Sequence, residues 1–452
     1  MNSLPGLSQP ASLLIYAAGA VALLVFLVAR WKLNAFIALV LASLCVGLCA
    51  GVRPLDIAKA FQEGVGGTLG FIAVVVGLGT MLGKLLAESG GAEVVAQTFI
   101  RAFGGGRLPW TLMVVAFIVG LPVFFGVGLV LLIPIVFTLV RETRQPLLLL
   151  GIPVIAGLAS SHSLVPPHPG PMVAIEKVGA DVGKTILWSI AIGLPAAMVA
   201  GPIFARFIAP RLQVEPGGLG EKLSQQPPAQ TARPGFGLTL LTITLPILLM
   251  LAATIADITL PRGDALREWA GFLGSPLVAM LVAVLFALWS FGARCGFDRT
   301  QLVKFTDECV GPCATIFLVV GAGGGFGKVL DVSGVDDAIA ELAKGLSFSP
   351  LLLGWMVAAA IRVAVGSATV AITLASAIMV PIVAGTPVNR ELLVVAMGGG
   401  SVICSHLNDG GFWFVKEYFN LTATQTLQTW TVLTTLISLA TLLLVLLAGQ
   451  VG

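Results

Sequence analysis

Long uncharged apolar runs alternate along this chain with short interruptions rich in Gly, Pro and polar residues. Ser12 to Ala29 and Leu33 to Val52 contain no charge and approach the roughly 20 residues an α-helix needs to cross hydrocarbon. Further runs follow, so the pattern predicts an all-α polytopic membrane protein. Two interruptions, Ser161 to Pro171 and Cys404 to Trp413, contain all three histidines, His162, His168 and His406. Backbone released from a helix at membrane depth must find partners in protein or trapped water, so these breaks predict a binding site. Val119 to Gly128 and Arg362 to Thr369 interrupt two other apolar stretches with small residues. They are expected to be re-entrant hairpin tips or helix breaks.

The interruptions recur at one spacing. Gly83-Lys84, Ser89-Gly90 and Ser161-His162 reappear as Gly327-Lys328, Ser333-Gly334 and Ser405-His406, each 244 positions later, and Phe61, Gly77 and Gly79 have mates at Phe305, Gly321 and Gly323. A common shift over so many residues predicts duplication, with repeats over 1–209 and 236–452. Residues 210–235 are rich in Pro, Gly and Gln and include Arg211, Lys222 and Arg233, so they read as a cytoplasmic linker. The N- and C-terminal ends, free of Lys and Arg, are expected outside, with Arg30, Lys32, Arg294, Arg299 and Lys304 inside; Arg53 and Lys59 run against this bias. Helix 33–52 then points outward and its counterpart near 275–293 inward. That is the inverted-repeat design of many secondary transporters, which hold a solute near the midplane.

Composition agrees. With 57% hydrophobic residues, 10% charged residues and a mean hydropathy of +1.01, the chain lacks the polar surface a water-soluble globule needs. A formal charge of +3 gives no reason to expect a nucleic-acid partner. No Lys or Arg precedes the first run, so that run is expected to be a retained helix rather than a cleaved signal. The six cysteines sit mostly in or beside apolar stretches, and Cys309 and Cys313 have no His nearby, so neither disulfides nor a metal site is expected. The glycines at 321–327 fail the phosphate-loop pattern, because Ala322 and Val329 replace the required Gly and Ser/Thr; they predict close helix packing. No cofactor is implied.

Arg362 carries the most informative charge, since its neighbours Ala358 to Ile361 and Val363 to Val365 are apolar and a guanidinium cannot be neutralised. It either grips a solute carboxylate through paired N–H donors or pairs with Asp409 or snorkels. Asp409, beside Asn408, would orient hydroxyls, carry a proton or neutralise Arg362. His168 and His406 either bind and titrate or serve as structural donors. The hydroxyls of Ser367 and Thr369 suit a polar solute or bond their own backbone.

Together these stretches resemble the gluconate permease family of proton-coupled sugar-acid symporters, within the ion transporter superfamily. The resemblance covers nearly the whole chain: Gly66 to Gly70, Pro166 to Pro171, Gly366 to Val370, Ser405 to Asp409, Gly411 to Trp413 and Lys416 to Phe419. It implies a bacterial inner-membrane carrier, a homodimer, and gluconate or a related aldonate or hexuronate as substrate. Arg362 would take the carboxylate, and Asn408, Asp409, Ser367 and His168 the hydroxyls. The arginine and the Ser-His-x-Asn-Asp run match the gluconate-type branch better than D-serine-type members. One departure concerns Phe124-Phe125-Gly126-Val127-Gly128, where many relatives carry glutamate at the position of Gly126. Asp409, His168 or His406 would then supply the proton site, or the chain is an altered form that binds substrate but transports poorly. A carrier of D-serine or another small organic acid is the alternative within the same fold. A membrane enzyme or a channel fits less well, because the chain has no His-Glu-x-x-His or Gly-x-Ser-x-Gly.

Overall fold

The computed structural model describes residues 4–103, 106–212, 214, 232–344 and 349–450. Most of the expected linker 210–235 lies outside them. The described residues are helical throughout, and nine helices are long and apolar enough to cross a membrane.

In chain order, α1 (Gln9–Ala29), α2 (Ala35–Cys49), α3 (Pro54–Glu88) and α4 (Gly91–Phe103) lead to a hairpin of α5 (Leu108–Val119) and α6 (Phe125–Thr143). Next, α7 (Leu147–Leu164) breaks before α8 (Pro169–Val178), and α9 (Val182–Met198) runs through a π-turn into α10 (Phe204–Ile208). After the expected linker come α11 (Phe236–Thr259), α12 (Ala265–Gly274), α13 (Pro276–Ala287), α14 (Arg299–Glu308), α15 (Val310–Val332) and α16 (Val335–Lys344). A second hairpin, α17 (Pro350–Val365) and α18 (Ala368–Gly385), is followed by a second broken pair, α19 (Arg390–Val402) and α20 (Gly410–Tyr418), and by α21 (Ala423–Thr426) and α22 (Val432–Ala448).

Local chemistry sets the boundaries. Ser8 and Asn34 cap α1 and α2 by accepting from the amides of Ala11 and Phe36. Pro at the first turn starts α3, α5 and α17, where a missing N–H is tolerated. With 12 residues, α5 spans only about 18 Å, too short to cross hydrocarbon alone. At the end of α17, Gly366 adopts φ +82°, and a Cβ there would strike the backbone of Asn408, so this turn requires glycine.

Two long helices, α3 and α15, pack antiparallel. Lys84, near the end of α3, reaches Glu308 at the entrance to α15 (3.0 Å), and Thr80 meets Cys313 (3.2 Å). At the other end, Gly64 lies against Gly324, Gly325 and Lys328, and Phe61 lies on Gly325. A Cβ on Gly64 would stand 2.8 Å from the Gly325 Cα and press on the Gly324 carbonyl. Gly64→Val is therefore expected to cost about 1–3 kcal/mol through overpacking, read as a lowered melting temperature in detergent; an unchanged melting temperature would contradict this packing.

Candidate functional site

Each helix break holds the tip of the hairpin in its own half. In the first, α7 ends at Leu164, Pro166 and Pro167 remove two amide donors, and His168 opens α8 with extended backbone. The buried His168 ring donates from Nε2 to the carbonyl of Gly120, the residue closing α5 (2.8 Å). In the second, the chain leaves α19 at Val402, and Asp409 caps α20 by accepting from the Gly411 amide (3.1 Å). His406 Nε2 donates to the Val363 carbonyl (3.1 Å), and Asn408 Nδ2 donates to Val363 (3.0 Å) and Ala364 (3.4 Å). The orphan carbonyls at the ends of two short helices thus find side-chain donors.

Arg362 lies on the last turn of α17, its side chain only 3% exposed. Nη2 pairs with Asp409 Oδ2 at 2.5 Å, and Nη1 donates to the Gly366 carbonyl. Asp409 also accepts from Ser405 Oγ, which accepts in turn from Trp430 Nε1 (2.6 Å). The pairing that composition allowed for Arg362 is therefore present. It does not exhaust the guanidinium, because Arg362 Nε is buried without a partner, as is Asn408 Oδ1. A buried polar atom left unbonded costs about 1–3 kcal/mol, so these two atoms retain capacity for a polar partner.

The two breaks converge. Helix α8 packs closely on α18, with Gly170 against Ile372, and Gly398 of α19 lies against Ser163 and Leu164. The ring of Phe125, at the start of α6, sits 4.9 Å from Trp430. His162 lies beside the first break: its ring is 4.8 Å from that of His168, and its Nδ1 is buried and unpartnered. The sequence reading assigned His162 no role, although its 244-residue spacing from His406 marked it.

Among the remaining predicted residues, Ser367 caps α18, its Oγ accepting from the Val370 amide (3.4 Å), and half-buried Thr369 lies in the first turn that follows. Gly126 lies in the first turn of α6, where a Cβ would meet the Phe414 ring at 3.2 Å. Cys309 and Cys313 touch Phe305 and Thr80, and no cluster suited to a metal occurs among the described residues.

Hairpin tips gripped by broken helices, one of them beside a buried guanidinium with donor capacity to spare, are features of membrane transporters built on discontinuous helices. The pattern of the GntP family permeases matches residues 11–451, and the chain belongs to that family. It is 47% identical to a gluconate permease of Pseudomonas aeruginosa over 99% of both chains. It is 42% identical to the high-affinity gluconate transporter of Escherichia coli, over 97% of this chain and 99% of the other. The D-serine transporter DsdX of Escherichia coli is 37% identical, over 93% of this chain and 95% of the other. The fold resembles the YdaH transporter of Alcanivorax borkumensis, with a TM-score of 0.67 at 18% identity, covering 91% of this chain and 96% of that one. MtrF of Neisseria gonorrhoeae gives the same score at 16% identity, covering 94% and 97%.

Proposed function

We propose that this permease is a bacterial inner-membrane carrier that imports gluconate or a closely related sugar acid by alternating access, in symport with protons. The observation that carries the reading is Arg362, buried, always charged, and with Nε unpartnered in the same site as the acceptor Asn408 Oδ1. A carboxylate bearing neighbouring hydroxyls supplies what both atoms lack. Gluconate relatives at 42–47% identity support the same substrate class. Isothermal titration of the purified protein with gluconate and with D-serine tests it: gluconate binds and D-serine competes weakly. Preference for D-serine would favour the alternative carrier.

Proton coupling follows from charge counting. Arg362 and Asp409 neutralise each other, so an incoming carboxylate adds an uncompensated anion, which is costly at membrane depth. Protonation of Asp409 restores neutrality; His168 and His406 are the other candidates. Relatives that carry glutamate at position 126 would place a further titratable group at the hairpin tip. Gly126→Glu is accordingly expected to steepen gluconate uptake driven by an inward proton gradient in liposomes. No gain would refute a coupling role for that position.

The carrier is read as repeats 1–209 and 236–452 of inverted topology, joined by the cytoplasmic linker 210–235, with both termini periplasmic. The reciprocal contacts of α3 and α15 support this: Lys84 over Phe305 and Phe61 against Gly325 are near mates under the 244-residue shift. Glu391 accepts from the Asp181 amide (3.0 Å), and Thr254 bonds Asp181 (3.1 Å), gathering the loops assigned outside at one end. Arg233 beside Gly90 and Glu93 marks the other end. A homodimer is part of this reading, tested by mass measurement in detergent.

A further inference from the structure

A cavity of about 1030 Å³ lies between α3, α4 and α6, away from the unpartnered atoms of the carrier site. Its floor is the hairpin tip at Pro122, Val123 and Phe124, and it runs along α6 to Glu142, where Arg101 and Arg233 also line it. Part-way up, Lys84 is held between Glu88 (2.7 Å) and Glu308 (3.0 Å), all three side chains partly exposed. The Lys84 ammonium lowers the Glu308 carboxyl from its usual value, which keeps this cluster ionised. Ions this exposed, at the end of α3 and just before α15, sit in water or at the membrane interface rather than in lipid.

Phe124 lines this cavity and also the small space behind it, which is walled by Pro167 and His168. On that inner side, its ring is 5.9 Å from His162 and 6.3 Å from His168. The Phe124 ring, with Pro122 beside it, therefore separates the charged cavity from the His162–His168 pair at the first break. It projects from an extended turn, φ −64° and ψ 151°, and is only half-buried, so a rotamer change would open the path.

We propose that the cavity is the aqueous vestibule through which the solute passes between its site and the membrane face bearing Arg233, with the Phe124 ring as the barrier. The solute class, a hydrated polyhydroxy carboxylate, rests on the function proposed above; the vestibule and its barrier do not. The test uses full-length protein with the six native cysteines replaced, reconstituted in liposomes. Single thiols are placed by Thr138→Cys in the cavity and His162→Cys behind the ring, and reaction with a membrane-impermeant methanethiosulfonate is timed from each face.

The thiol at 138 should react readily from the Arg233 face only. The thiol at 162 should react slowly, accelerate about tenfold or more with Phe124→Ala as the closed population falls, and stay slow with Phe124→Trp. A thiol at 138 reached only by lipid-soluble maleimides, or a rate at 162 indifferent to both Phe124 variants, would overturn the proposal. Gluconate titration of the Thr138→Cys protein runs in parallel. Absent binding with the expected labelling removes the substrate assignment alone, whereas binding with failed labelling removes the vestibule alone.

Discussion

Arg362→Ala is expected to lower gluconate affinity at least about a hundredfold, the scale for truncating one member of a buried, hydrogen-bonded charge pair. The guanidinium is 3% exposed, two of its nitrogens are held by Asp409 and Gly366, and the third is unpartnered. The wild-type group is thus fixed in place before solute arrives, which limits the ordering cost of binding. The substitution also leaves Asp409 without its cation, so a folding defect must be separated from lost binding. Arg362→Lys keeps the charge but not the planar fork, and should bind more weakly than wild type while remaining folded. Equal affinity in Arg362→Ala and wild type, measured by titration, would remove the carboxylate grip from the account.

Asp409→Asn is expected to abolish acceleration of uptake by a proton gradient while gluconate exchange between equal concentrations survives. The amide keeps the shape and one acceptor for the Gly411 amide, but it cannot alternate between charged and neutral forms. Arg362 then lies beside a permanently neutral group, so the carboxylate enters without a proton. A merely structural role predicts a different outcome: exchange and driven uptake fall together, with a lowered melting temperature. Driven uptake equal to wild type would transfer the coupling role to His168 or His406.

Much of this architecture was legible because Gly and Pro inside apolar runs leave few alternatives. Pro166, Pro167 and Pro169 forbid a continuous α7–α8 helix, and Gly366 marks a turn that any Cβ would obstruct. The hairpin tip near Gly120 and the break before Asp409 fall within the predicted stretches. Partners were less legible. The Arg362–Asp409 pair spans 47 residues and the Trp430–Ser405 bond 25, distances that depend on which helices lie side by side. Both readings of Arg362, grip and ion pair, were open; the geometry shows the ion pair and leaves Nε unpartnered. The sequence did not single out His162, because its neighbours His168 and Phe124 come from other elements. The large cavity was hidden for a related reason: the α6 residues Val127, Val130 and Ile135 that line it have the same apolar pattern as a face turned to lipid.

The most direct measurement is an experimental structure of the protein with gluconate bound. The account predicts the carboxylate on Arg362 with Nε engaged, a hydroxyl on Asn408 Oδ1, and the sugar chain directed toward His162. Gluconate bound elsewhere, with Arg362 Nε and Asn408 Oδ1 still unpartnered, would contradict it.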